Sequence, residues 1–130
     1  MDLKVVRYSA FTAEGKGGNP AGVVFEAAGA TESEMLRVAA NVGDSETAFV
    51  VEKMARRRSK VRYFSPLREV DFCGHATIAT AIAWAERVGA GEFVFQTAAG
   101  DIPIQVDEAS DGLRATLTSV PARVSAAAPA

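Results

Sequence analysis

The chain has 130 residues, of which 48% are hydrophobic and 23% are charged, a balance typical of a folded globular domain. Its formal net charge of -2 argues against the basic surface that binds nucleic acid or anionic membranes, and we expect neither as a partner. The chain has a single cysteine, no signal-peptide pattern at its N-terminus and no apolar run of about 20 residues. We therefore expect a cytoplasmic protein without an internal disulfide or a membrane-spanning helix.

Two strands and a loop are predicted at the start of the chain. Residues 3–11 and 21–25 are rich in apolar and β-forming side chains and predict strands. Between them, segment 15–20 contains three glycines, Asn19 and Pro20, which favour unusual backbone angles and predict a loop.

An amphipathic helix is predicted over residues 32–42. Thr31 and Glu34 have the spacing of a capping box, apolar residues follow at helical intervals, and Gly43 is suited to end the helix. We expect the apolar face of this helix to pack on the core from outside.

The later strands are separated by charged or glycine-containing turns. Residues 47–51 and 60–64 predict a hairpin whose tip, Arg56 to Arg58, we interpret as solvated rather than as a binding patch. Three further strands are predicted, at 92–97, 102–106 and 113–117.

A second helix, predicted over residues 73–88, lacks a polar stripe apart from the small Thr77 and Thr80. A helix that is apolar on all sides is buried on all sides. We therefore predict an α+β fold in which a strongly bent, barrel-like, mostly antiparallel sheet of six to eight strands wraps around this central helix. The domain covers residues 1–121, and the Ala/Pro-rich residues 122–130 form a tail or a linker.

The N-terminus of the central helix is the first candidate site. Its backbone N–H groups have no partner within the helix, so they favour a carboxylate or phosphate without any cationic side chain. We expect the substrate-binding residues to be Asn19 in the glycine-rich loop and, at the helix, Gly74, His75, Ala76 and Thr77.

Cys73 and His75 are candidate catalytic residues at this helix terminus. The helix dipole could lower the pKa of the Cys73 thiol, and His75, the single histidine, titrates near neutral pH in its unperturbed state. Taken singly, each residue could instead be a buried structural residue. Their occurrence together at the mouth of a buried helix favours a functional site.

Glu46 is the third candidate catalytic residue, because it opens an otherwise apolar strand where a partly desolvated carboxylate could shuttle a proton. The alternative, which the pattern alone favours, is a solvent-facing glutamate in an alternating strand. One cysteine and one histidine do not make a zinc site, so we expect no metal, and no cofactor-binding motif is present.

Three segments in this order resemble the PhzF family: residues 18–23 (GNPAGV), 45–50 (SETAFV), and 64–66 (FSP) followed by 69–77 (EVDFCGHAT). The resemblance extends from about Lys4 to Pro121. It implies a diaminopimelate-epimerase-like fold of two similar domains, of which this chain resembles the N-terminal one. It also implies a biosynthetic enzyme of secondary metabolism that acts on a small carboxylate without a metal or cofactor.

The resemblance also implies roles for single residues. The glutamate matching Glu46 is the proton shuttle of an allylic isomerisation, and the histidine matching His75 helps to hold the substrate. In related amino-acid epimerases a cysteine at the position of Cys73 acts with a second cysteine from the other domain. No counterpart of that second domain is present in these 130 residues.

Three interpretations follow for this half-domain. It could be an isomerase or epimerase completed by a second chain, either as a homodimer or by pairing with a separately encoded second half. It could be a catalytically inactive module that binds a small anion, or a decaying gene product. In the first case we expect a bare apolar surface around Glu46 and His75, where the partner docks.

Overall fold

The computed structural model describes residues 3–11, 18–43, 46–110 and 112–117. Within these residues, eight strands and two helices follow one another in the order β1-β2-α1-β3-β4-β5-α2-β6-β7-β8. The helices are α1 (Glu32–Val42) and α2 (Gly74–Val88). The strands are β1 (Val6–Phe11), β2 (Gly18–Val24), β3 (Glu46–Ala55), β4 (Arg58–Phe64), β5 (Glu69–Val70), β6 (Gly91–Thr97), β7 (Gly100–Ala109) and β8 (Gly112–Leu117).

All eight strands belong to one bent sheet, with the spatial order β1-β2-β3-β4-β6-β7-β8 and with β5 paired to β4. The pairs β2–β3 and β4–β6 are parallel, and the other described pairs are antiparallel. A parallel pair needs a crossover connection. Helix α1 lies in the connection from β2 to β3, and α2 lies in the connection from β4 to β6.

The sheet curls around α2, which contacts β1, β2, β3, β7 and β8. Small residues cover much of the helix surface and allow the strands to approach closely, while Trp84 packs near its C-terminal end against Phe25, Phe93 and Phe95. The predicted fold class, a barrel-like sheet around one buried helix, is confirmed.

Helix α1 packs on the outer face of the sheet. Met35 and Ala39 from the helix are buried against Phe49 and Phe64. The capping box is formed: Thr31 accepts from the backbone N–H of Glu34, and Glu34 accepts from the backbone N–H of Thr31. The predicted bounds of this helix, 32–42, are those observed.

Part of the predicted glycine-rich loop is strand. Gly18, Asn19 and Pro20 extend β2 and pair with Phe11, Ala10 and Ser9 of β1, whereas residues 15–17 lie outside the described residues. The pairing of β2 with β3 starts only at Ala21, so the missing N–H of Pro20 removes no bond to β3. The predicted tail, 122–130, also lies outside the described residues.

The arginine-rich hairpin tip, which we predicted to be solvated, contacts the C-terminal end of α2. Arg56 and Arg57 donate to the Val88 carbonyl at 2.9 and 3.0 Å, and Arg57 also donates to the Gly89 carbonyl at 3.2 Å. These carbonyls belong to the C-terminal end of α2, where the helix has unpaired acceptors and the negative end of its dipole. The tip therefore caps the central helix.

No helix among the described residues has the length and apolar character needed to cross a membrane.

Candidate active site

Glu46, Cys73 and His75 converge at the N-terminal end of α2. Glu46 is the first residue of β3, and the alternation of the strand puts it on the same face as Ala48 and Val50, which pack around α2. Cys73 is the N-cap residue of α2, and His75 lies in its first turn. The Glu46 side chain is 16% exposed and that of His75 is 11% exposed. Glu46 is therefore directed into the site. The solvent-facing position that the sequence pattern alone favours is not the one observed.

Oxygen Oε1 of Glu46 is the shared neighbour of the other two side chains. The Cys73 thiol donates to it at 3.4 Å, and His75 Nε2 lies 3.4 Å from the same oxygen. The sulfur of Cys73 lies 3.7 Å from His75 Nδ1 and 3.6 Å from Nε2. One carboxylate oxygen thus lies within reach of a thiol and an imidazole, and all three groups can hold or pass a proton.

The Cys73 thiol is protonated at neutral pH. Burial raises its pKa to about 12, and the neighbouring Glu46 carboxylate adds to this shift. The backbone N–H groups of Ala76 and His75 favour the thiolate, but they do not outweigh burial. The expectation that the helix terminus lowers this pKa is therefore wrong, because desolvation of the anion costs more than the dipole returns.

A buried hydrogen-bond chain fixes the position of Cys73. Thr77 donates from its hydroxyl to the Cys73 carbonyl at 2.8 Å, and the Tyr63 hydroxyl lies 2.6 Å from the Thr77 hydroxyl. Since Thr77 donates to Cys73, Tyr63 is the donor to Thr77. The side chain of Thr77, a predicted substrate-binding residue, is fully buried, and both its hydroxyl and its N–H are bonded within the protein. Its role in binding stays a prediction.

Tyr63 was missed by sequence reasoning. Tyr63 and Val61, two residues apart, share the inner face of β4, and both side chains are fully or almost fully buried in the core around α2. A buried tyrosine needs a partner for its hydroxyl. Thr77, one of the two threonines in the otherwise apolar middle of α2, was the sequence signal for that partner.

The first turn of α2 has no side-chain cap at its N-terminus. Cys73 has the extended backbone of an N-cap, but its side chain makes no capping hydrogen bond. Gly74 has open space beside its backbone, since an added Cβ would come no closer than 4.0 Å to Phe72. Of the other predicted binding residues, Ala76 is buried in this turn, and Asn19 lies in β2, opposite Ala10.

The expected apolar surface around the site is not seen among the side chains whose exposure the structure describes, which leave out those of residues 8–20. Among these side chains, the large hydrophobic ones that are exposed are Met54, at the far end of β3, and Leu67, in the turn after β4. A separate groove of about 220 Å³ lies beside β4, β5 and the end of β6, and none of the three candidate catalytic residues lines it.

The comparison with protein families identifies the chain. The model of the phenazine biosynthesis-like PhzC-PhzF family matches residues 8–129. The chain belongs to this PhzF family. This is the family that the three sequence segments resemble. The observed sheet around a central helix agrees with the fold that this resemblance implies.

Known PhzF-family proteins are similar over most of this chain. The uncharacterized isomerase YfhB of Bacillus subtilis is 38% identical over 119 residues, 89% of this chain and 40% of the relative. The trans-2,3-dihydro-3-hydroxyanthranilate isomerase of Pseudomonas aeruginosa is 30% identical over 84% of this chain and 39% of the relative. The crystal structure of a PhzF-family protein from Bacillus anthracis superposes with a TM-score of 0.77 at 38% identity, covering 90% of this chain and 40% of that one.

The chain spans about 40% of the length of these relatives. The relatives thus contain further sequence beyond the part that matches, and the isomerase names describe those longer proteins.

Proposed function

We propose that this chain forms one half of the active site of a cofactor-independent isomerase or epimerase of a small carboxylate-bearing metabolite. Glu46 is the proton shuttle in this proposal. A second copy of the chain, or a separate second half, completes the site. The observation that carries the proposal is the position of Glu46 Oε1, 3.4 Å from both the Cys73 sulfur and His75 Nε2 at the end of α2.

The arrangement supports a division of labour between the residues. The N–H groups at the start of α2 hold the substrate carboxylate, because a helix N-terminus attracts an anion. Glu46 removes a proton from an activated carbon and returns it to another carbon on the same side of the substrate, which is an isomerisation. His75 holds the carboxylate of Glu46 or the substrate in place through its ring nitrogen.

The environment of Cys73 favours Glu46 as the proton-transfer group. A base must be deprotonated at working pH, and the pKa of Cys73 is raised to about 12. Epimerisation through two cysteines on opposite faces would need Cys73 of each of two chains at a shared ligand. The name of the Pseudomonas relative also describes an isomerase, and the dihydro-hydroxyanthranilate in that name carries a carboxylate.

Deuterium exchange tests the assignment. The protein is incubated in deuterated buffer with a chelator and a panel of α-amino and β,γ-unsaturated carboxylic acids, and incorporation is followed by NMR. We expect exchange that is lost in Glu46→Gln and retained in Cys73→Ser. Glu92→Gln, at an exposed position of β6, is the matched control that leaves exchange unchanged.

The opposite pattern, with exchange retained in Glu46→Gln and lost in Cys73→Ser, would replace this assignment by the two-cysteine reaction. Binding of the acids without any exchange would support the anion-binding module instead. Light scattering at micromolar concentration tests completion of the site: a particle of one chain that still exchanges would contradict the need for a second chain.

A further inference from the structure

Three different metal-ligating atoms meet in the described part of the chain: a carboxylate oxygen of Glu46, the sulfur of Cys73 and a ring nitrogen of His75. They lie within 4.8 Å of one another. The sequence expectation of no metal site counted only the cysteine and the histidine, which are two ligands. Folding adds the carboxylate from β3, 27 residues before Cys73, as a third.

The separations of these atoms match one face of a zinc tetrahedron. Bonds of about 2.3 Å to sulfur and about 2.0 Å to nitrogen or oxygen put neighbouring ligand atoms about 3.3–3.6 Å apart. The observed separations are 3.4 Å from sulfur to Glu46 Oε1, 3.6 Å from sulfur to His75 Nε2, and 3.4 Å from that nitrogen to Oε1.

The contact between His75 and Glu46 is long for a hydrogen bond. The distance of 3.4 Å from His75 Nε2 to Glu46 Oε1 exceeds the usual length of an N–H···O bond. The sulfur of Cys73 is not directed at one nitrogen, since it lies 3.7 and 3.6 Å from the two. The three atoms are thus nearly equidistant, as ligands around a shared centre are.

We propose that Glu46, Cys73 and His75 form a site for a borderline-soft divalent cation of the Zn²⁺ type, with a fourth position open to water or another ligand. Thiolate and imidazole ligands select such cations over Mg²⁺ and Ca²⁺, which prefer oxygen. As the zinc–sulfur bond forms, the thiol proton passes to the buffer. Cation binding engages the carboxylate of Glu46, so, resting on the proposed function, it inhibits the isomerase.

Cobalt(II) is the probe for this site because its spectrum reports its ligands. The 130-residue chain is purified with a chelator, freed of it, and titrated with Co²⁺. We expect saturation at one Co²⁺ per chain, a near-ultraviolet thiolate-to-cobalt charge-transfer band, and visible bands of tetrahedral intensity. Addition of Zn²⁺ should bleach these bands, whereas Mg²⁺ and Ca²⁺ should leave them unchanged.

Variants test the three-ligand assignment, each checked for folding by circular dichroism. Cys73→Ser should lose the charge-transfer band, and Glu46→Gln should weaken Co²⁺ binding by about tenfold or more, while Glu92→Gln binds like the wild type. The proposal is overturned if the folded wild type shows no charge-transfer band, or if Glu46→Gln binds Co²⁺ unchanged. Exchange measured in chelator does not depend on the cation, so failure of the metal site and failure of the isomerase proposal remain distinguishable.

Discussion

The hydroxyl of Tyr63 lies 2.6 Å from the hydroxyl of Thr77, with both side chains fully buried between β4 and α2. The Thr77 hydroxyl in turn donates a hydrogen bond to the carbonyl of Cys73. Thr77→Val leaves the Tyr63 hydroxyl buried without an acceptor and should lower the free energy of unfolding by about 1–3 kcal/mol. Tyr63→Phe should cost less, about 0.5–1.5 kcal/mol, because Thr77 keeps its bond to Cys73.

Urea unfolding of the two single variants and of Tyr63→Phe/Thr77→Val measures this coupling. We expect the double variant to lose less stability than the sum of the single variants, since removal of both hydroxyls leaves none unsatisfied. Strict additivity would mean that the two hydroxyls do not interact.

Cys73 should react slowly with alkylating reagents in the folded protein. Its pKa is raised from 9.0 to about 12 by burial and by Glu46. At pH 8 the thiolate fraction, and with it the rate of iodoacetamide labelling, should be about a thousandfold below that of an unperturbed thiol. Mass spectrometry in chelator checks the rate, with urea-unfolded protein as the fast reference. Glu46→Gln should label faster than the wild type, and equal rates would argue against the electrostatic effect of Glu46.

The same shift predicts a loss of stability at alkaline pH. The folded state favours the protonated thiol, so this contribution is present below the unfolded pKa and is lost as pH rises from about 9 towards about 12. Cys73→Ser removes the ionisation, and its unfolding free energy should fall less over that range.

The cap at the C-terminus of α2 should contribute to stability. Arg57 donates to the carbonyls of Val88 and Gly89, so Arg57→Ala should lower the free energy of unfolding by about 1–2 kcal/mol. Arg58→Ala is the matched control, since Arg58 forms a largely exposed pair with Asp101 that should contribute about 0.5 kcal/mol or less. Equal losses in urea unfolding would mean that the cap has no special effect.

The ion pair between Arg62 and Glu69 should make stability depend on acidic pH. Arg62 donates to both carboxylate oxygens of Glu69 at 2.7 Å and thereby holds the pKa of Glu69 below 4.5. A lowered folded pKa stabilises the protein above the unfolded pKa, and this stabilisation is lost as pH falls below 4.5 and through the folded pKa. Glu69→Gln should show a flatter unfolding free energy over this range, whereas Glu92→Gln should follow the wild type.

Local sequence patterns were sufficient for the helices. The capping box at Thr31 and Glu34 and the glycine at position 43 define α1 through contacts between residues close in the chain. The 73–88 segment, which lacks a polar stripe apart from the small Thr77 and Thr80, predicted a buried helix, because no other position hides every side of it. The two elements determined the fold class together with the strand patterns around them.

Long-range pairing decided what the local patterns left open. The partner of Glu46 is 27 residues away, so only the packing of β3 against α2 could show whether this carboxylate faces solvent or the site. Strand β5 has only two residues, too few for a periodic pattern, and exists through its pairing with β4.

Residue types and order along the chain determined the candidates at the site: a carboxylate on a strand, and a thiol and an imidazole at a helix terminus. Their electrostatics were decided only by tertiary structure. The sequence placed Cys73 at the positive end of a helix dipole, which lowers a thiol pKa. Folding buried the same thiol beside the Glu46 carboxylate, and the cost of desolvating a thiolate next to another negative charge exceeds what that dipole supplies.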